Sequence, residues 1–158
     1  MMIQPLLVDS HCHLNMVEAR GVSMDDAVRR AVENGVGIMQ TICTTMSESA
    51  EVISIAEKYD NVYASVGIHP HDAAKESTTV EELVKIASHP KVIGIGESGL
   101  DYFYENSPRK EQQESFRVHI AAARETGCPL IVHSRDADED TVEILKGETE
   151  KGAFPFLI

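Results

Sequence analysis

At 158 residues the chain is long enough for one domain with a substantial core, but shorter than the roughly 250 residues of a complete eight-stranded α/β barrel. A hydrophobic share of 42% with interspersed charge excludes a disordered or fibrous chain, and a formal net charge of -12 excludes a broad basic surface for duplex nucleic acid. Any nucleic-acid contact must then be local, and bound divalent ions could supply its positive charge.

The amino terminus, Met1-Met2-Ile3-Gln4-Pro5, lacks the basic segment and apolar stretch of a secretory signal. No later apolar run reaches membrane-spanning length, so a cytoplasmic protein without a membrane partner is expected. Cys12, Cys43 and Cys128 are odd in number and widely spaced, which predicts buried, unreactive thiols rather than a disulfide framework or a zinc finger.

The first apolar run, Leu6-Leu7-Val8, leads straight into Asp9-Ser10-His11-Cys12-His13. Strand side chains alternate, so Asp9, His11 and His13 share a face and Cys12 turns away. Two imidazoles on one face can chelate one ion. Asp9 suits an outer role, taking a proton from a ligand imidazole and fixing its tautomer. A helix follows from the Ser23 cap, with Ala27, Val28, Ala31 and Val32 inward and Gly35 at its end.

Further β-branched runs recur near residues 36 to 43, 62 to 68, 92 to 95 and 130 to 132, each followed by a helical pattern. The second helix follows Ser47, with Val52, Ile53 and Ala56 inward. The third has Thr79 and Glu82 at capping-box spacing, then Leu83, Val84 and Ala87, and stops before Pro90. In the fourth, Ser107 caps, Pro108 takes the first helical position, Phe116, Ile120 and Ala123 form the stripe, and Gly127 with Pro129 ends it. A fifth spans about Glu139 to Lys146 with Val142 and Leu145 inward, and Ala153 to Ile158 reads as the start of a sixth strand. The repeat of roughly thirty residues is close to one eighth of a barrel. The expected architecture is a single TIM-barrel-like (β/α) domain over residues 1–158, incomplete, with about five strand-helix units.

Parallel barrels keep their chemistry at the carboxyl ends of strands. Four polar clusters fall there. Gly67-Ile68-His69-Pro70-His71 ends the third strand, and His69 and His71 could ligate metal or hold an anionic substrate; phosphate binding is the favoured reading. Glu97 follows an apolar run and is hemmed by Gly96 and Gly99, which suits close approach of backbone to an ion, and its carboxylate can bridge two cations. His133 follows Leu130-Ile131-Val132 as a nitrogen ligand, and Arg135 is placed for a fork-like contact with phosphate. His89 and His119 lie away from strand ends and read as structural or exposed.

Asp9-Ser10-His11-Cys12-His13-Leu14, Gly67 to His71, the Gly-Glu-x-Gly-Leu-Asp-Tyr stretch from Gly96 to Tyr102, and Val132-His133-Ser134-Arg135-Asp136-Ala137 together resemble the TatD family of metal-dependent hydrolases. The resemblance runs along essentially the whole chain. It implies an amidohydrolase-type barrel, two divalent ions (Mg²⁺, Mn²⁺ or Zn²⁺) and hydrolysis of phosphodiester bonds at DNA ends, often from the 3′ side. Carried over residue by residue, His11 and His13 would hold the first ion, Glu97 would bridge both, and His133 would hold the second. Glu97 and His133 are thus the residues expected to carry catalysis. The family pattern also has a His after the sixth strand and an Asp after the seventh or eighth, and neither is among these 158 residues. Two alternatives stand beside the deoxyribonuclease reading: a metal-dependent hydrolase of another ester or amide, such as an aminoacyl-tRNA deacylase, and a non-enzymatic truncated remnant or assembly part that self-associates through an exposed sheet edge.

Overall fold

A computed structural model describes residues 7–158. Leu6, expected at the head of the first strand, and the segment Met1 to Pro5 lie outside the described residues. Six strands form one parallel sheet in the order β1-β2-β3-β4-β5-β6: β1 Leu7–Cys12, β2 Val36–Thr41, β3 Val62–Val66, β4 Val92–Asp101, β5 Leu130–Arg135 and β6 Phe156–Leu157. Between them run α1 Met24–Glu33, α2 Ser49–Lys58, α3 Val80–Ala87, α4 Arg109–Thr126 and α5 Asp138–Thr149. Parallel neighbours need crossovers, and crossovers are right-handed, so an unbroken 1-to-6 order places every helix on the same side of the sheet. The fold is therefore a TIM-barrel-like (β/α) arc, open between β1 and β6. Among the described residues no helix is long and apolar enough to cross a membrane.

The core lies between the sheet and its helices. Val62, Ala64, Val66, Ile95 and Leu130 from the strands meet Val52 and Ala56 of α2, Leu83 of α3, and Phe116, Ile120 and Ala123 of α4, all with no exposed surface. Among the described residues no helix packs on the opposite sheet face. Val8 and Ile38, paired across β1 and β2, remain 61% and 39% exposed.

Several expectations need correction. Val32 is 51% and Val142 48% exposed; α1 instead buries Val28, with Met24 and Ala31 partly buried against the core, and α5 buries Thr141, Ile144, Leu145 and Glu148. On α5 the 3.6-residue period allows two stripes, and packing against α4 selects the one containing Glu148. Ser107 does not cap α4. Its hydroxyl donates to the His71 carbonyl at 2.9 Å and accepts the Ala74 N–H at 3.0 Å, tying the turn after β3 to the start of α4. Strands β4 and β5 also run further than expected, to Asp101 and Arg135, so Glu97 and His133 sit within strands rather than just after them.

Glu148 is a charged residue at an apolar interface, and its partners explain how it is tolerated. With 3% exposure it accepts from Arg117 at 3.2 Å, Arg124 at 3.1 Å and Lys151 at 2.7 Å, joining α4 to the end of α5. Burial pushes its carboxyl up, but the bonds from Lys151, Arg124 and Arg117 outweigh this and hold it below the ordinary value. A depressed carboxylate contributes stability above its unfolded value and loses it as pH falls through the folded one. Glu148→Ala is expected to lower stability by about 1–3 kcal/mol at neutral pH and to flatten the acid limb of a denaturant-midpoint profile. A variant that melts with the parent at both pH values would contradict this role.

Candidate metal centre

His11, His13, His69, His71, Glu97 and His133 converge on one cavity of about 390 Å³ at the carboxyl ends of the strands, with Met16, Thr44 and Asp72 completing its wall. Four separate strands deliver these groups. Their arrangement depends on close backbone contact at two glycines. A Cβ on Gly67 would lie 2.5 Å from the Gly96 Cα, and at Gly99, with φ at 148°, it would overlap the His133 carbonyl oxygen. Between Ile95 and Ser98 the β4–β5 register shifts, and this irregularity turns Glu97 into the cavity, where it is 6% exposed. Its own N–H is satisfied by the Cys43 carbonyl at 3.1 Å.

Glu97 is the hub of the cluster. One oxygen lies 3.3 Å from His11 Nε2, and the other lies 3.0 Å from His133 Nδ1 and 3.9 Å from His69 Nε2. Burial pushes the Glu97 carboxyl up, but bonds to His11 and His133 prevail and hold it far below the usual carboxylate range. It is an anion at neutral pH. His11 is raised, chiefly by its bond to Glu97. Two donor sets have ligand atoms mutually within 4.8 Å: His11, His13 and Glu97, and His69, Glu97 and His133. Glu97 is common to both. Imidazole nitrogens sharing one carboxylate suit Zn²⁺, Mn²⁺ and similar divalent ions, so the residues present fit the expected metals.

Hydrogen bonds sort the imidazoles by tautomer. His13 Nδ1–H donates to the Ile42 carbonyl at 3.2 Å, which leaves the Nε2 lone pair available. His133 donates from both nitrogens, Nε2–H to Asp101 at 3.1 Å and Nδ1–H to Glu97 at 3.0 Å; burial pushes it down, but these two carboxylates prevail and raise it above the ordinary value. His69 differs. Its Nδ1 accepts the His71 N–H at 3.1 Å, which assigns the ring proton to Nε2 and makes that atom a donor toward the cavity. Burial lowers His69 to about 4, so the ring is neutral at pH 7.

Asp9, expected to accept a proton from a ligand ring, accepts the backbone N–H of His11 at 3.2 Å instead. The carbonyl of Ile42 is what orients a first-strand imidazole. Arg135 stands away from the cavity, its guanidinium 4.3 Å from the Phe103 ring and 4.7 Å from that of Tyr104. His119 is fully buried and His89 pairs with Glu57 at the surface. Cys12 and Cys43 are pushed up to about 12 and about 11 by burial, as befits inert thiols.

Sequence reasoning missed Asp101 and Gln112. Asp101 is fully buried and one of its oxygens accepts from both His71 Nε2 at 2.8 Å and His133 Nε2. Its second oxygen takes the Tyr104 N–H at 2.9 Å. Gln112, also fully buried, clamps the Asp101 backbone from both sides, accepting its N–H at 2.7 Å and donating to its carbonyl at 3.1 Å. The available sign was an acid inside an apolar stretch, Gly99-Leu100-Asp101, eleven residues before a Gln on the inward stripe of a helix.

Residues 8–157 match the family model described as TatD related DNase. YabD of Bacillus subtilis, described as an uncharacterized metal-dependent hydrolase, is 38% identical over 90% of this chain and 56% of its own length. A Shigella flexneri protein named 3'-5' ssDNA/RNA exonuclease TatD is 33% identical over 80% of this chain and 49% of its own. Among solved structures, the Escherichia coli TatD homolog YJJV superposes with a TM-score of 0.78 at 30% identity, covering 89% of this chain and 55% of that one. The chain spans about half the length of the relatives it matches. The family match along nearly every described residue, with the motifs of that match gathered at one cavity, establishes that the chain belongs to the TatD related DNase family.

Proposed function

We propose that this chain carries the metal-binding part of a hydrolase that cleaves phosphodiester bonds, removing nucleotides from the 3′ ends of DNA. The observation that supports this most directly is the single buried carboxylate of Glu97 shared by two donor sets. His11, His13 and Glu97 would hold one divalent ion, and Glu97 with His133 a second. When bound, such a pair lowers the pKa of a water and offsets charge on a phosphate and its leaving oxygen. The protein's own groups do the rest. Asp101 fixes the rings of His71 and His133, and Gln112 fixes Asp101. His69, neutral and with its proton on Nε2, would donate to a phosphate oxygen, and His71, beside it at a ring separation of 4.4 Å, would line the same pocket.

The acidic balance of the chain favours a substrate end over a long duplex tract, because only the local cations can offset phosphate charge. The Shigella flexneri relative's name points the same way. The test is release of mononucleotides from 5′-labelled single-stranded DNA with and without Mn²⁺, run beside an aminoacylated tRNA and a duplex with blunt ends. Metal-dependent shortening of the single strand from its 3′ end is expected, with slower loss from the duplex. Deacylation without shortening would overturn the proposal.

A further inference from the structure

We propose that Phe103 and Tyr104, with the Arg135 guanidinium laid across them, form a stacking subsite for the terminal base of a single-stranded nucleic acid. The inference rests on the phosphodiester reading above and adds what holds the nucleotide beyond its phosphate. Aromatic rings normally bury most of their surface, yet Phe103 is 55% and Tyr104 52% exposed, side by side in the turn after β4. They meet edge to face with centroids 4.7 Å apart. Arg135, two residues beyond His133 on β5, caps both rings, so the platform is already assembled.

Its position ties it to the metal-donor cluster. The Tyr104 ring lies 5.5 Å from that of His71, which is 4.4 Å from His69, which in turn is 4.5 Å from His133. The same Asp101 carboxylate that takes the ring protons of His71 and His133 also holds the Tyr104 N–H. Platform and cavity are thus built on one buried acid. The two non-glycine residues with positive φ among those described, Glu105 at 47° and Asp136 at 52°, bound this platform on its two chain segments.

Charge explains why a base is the fitting occupant. Asp136, Asp138, Glu139 and Asp140 line the adjoining surface beside Arg109, which is itself paired with Glu105, and the whole chain carries -12, so a phosphate backbone running outward would meet a net negative charge. A base is uncharged and presents a π-face to rings and guanidinium alike. One nucleotide, its phosphate at the metal-donor cluster and its base on the platform, meets both requirements.

The experiment uses the Mn²⁺-loaded chain and a 5′-fluorescein pentathymidylate whose last linkage is a phosphorothioate, read by anisotropy. Replacing the 3′ nucleotide by an abasic one is expected to weaken binding about ten-fold. The Phe103→Leu/Tyr104→Leu variant, which keeps the Tyr104 backbone N–H, is expected to bind both oligonucleotides equally, at the weaker level. A 3′-terminal 5-iodouracil should photo-crosslink to the Phe103–Tyr104 peptide. Equal affinity of the parent for both oligonucleotides, or crosslinking elsewhere, would overturn the subsite and leave the phosphodiester reading intact. Binding of neither oligonucleotide would remove that reading, and the subsite with it.

Discussion

Glu97→Gln is expected to remove tight divalent-ion binding from this chain. The substitution preserves the side-chain shape but deletes the charge that both donor sets share, and an amide offers one oxygen where two are used. Calorimetric titration with Mn²⁺ should show affinity falling by more than the roughly 10–100-fold that loss of an outer hydrogen-bond partner costs. Release of nucleotides, where the parent shows it, should fall with it. The Asp101→Asn variant offers the comparison. It disturbs His71 and His133 without touching a donor atom, so its loss should stay within that smaller range. Retention of parent-like affinity by Glu97→Gln would remove the bridging role and the functional proposal built on it.

Acid destabilisation through His119 is the second large effect expected. The ring lies wholly inside α4's interface with the sheet, its Nδ1–H donating to the Ser115 carbonyl at 2.8 Å and its Nε2 accepting the Ile68 N–H at 2.9 Å. Burial drives it down to about 4 from 6.5. An unfolded chain then binds a proton that the native chain refuses between those values, so stability falls as pH drops from 6.5 toward 4 and is unaffected above. The loss is on the order of 3 kcal/mol, a large share of a domain's total. Urea midpoints across this window should drop steeply in the parent and less in His119→Leu. The comparison isolates His119, since His69 falls in the same sense and the raised His11 and His133 oppose it in both proteins alike. Parallel profiles would mean that water or local opening reaches the ring. At neutral pH the variant also leaves the Ile68 N–H unpaired, one residue before His69, at a cost of about 1–3 kcal/mol.

His119 also shows where pattern reading succeeds and stops. Its place within a helix, away from strand ends, marked it as structural or exposed, but that its ring nitrogen would hold the turn after β3 depends on where α4 packs on the sheet. Asp101 is a similar case. Its neighbours Gly99 and Leu100 announce a strand, while the shared bonds to His71, His133 and Tyr104 join three chain segments. Val142 failed for the opposite reason. The local period allowed it to face inward, and the pairing of Glu148 with α4 turned it out. Ser107 had the chemistry of a cap, yet the His71 carbonyl and Ala74 N–H claimed its hydroxyl.

By itself the sequence determined the alternation of strands and helices, the parallel arc and which strand-helix units bear His11, His13, His69, Glu97 and His133, because these follow from side-chain period and local punctuation. Only the tertiary structure decided which ring nitrogen faces the cavity, that Asp101 underlies it, that Asp9 serves the backbone, and that Arg135 lies on aromatic rings. Those outcomes are set by contacts between residues distant in the chain. A hydrogen bond is chosen by the distance and direction of its partner, which no local pattern encodes.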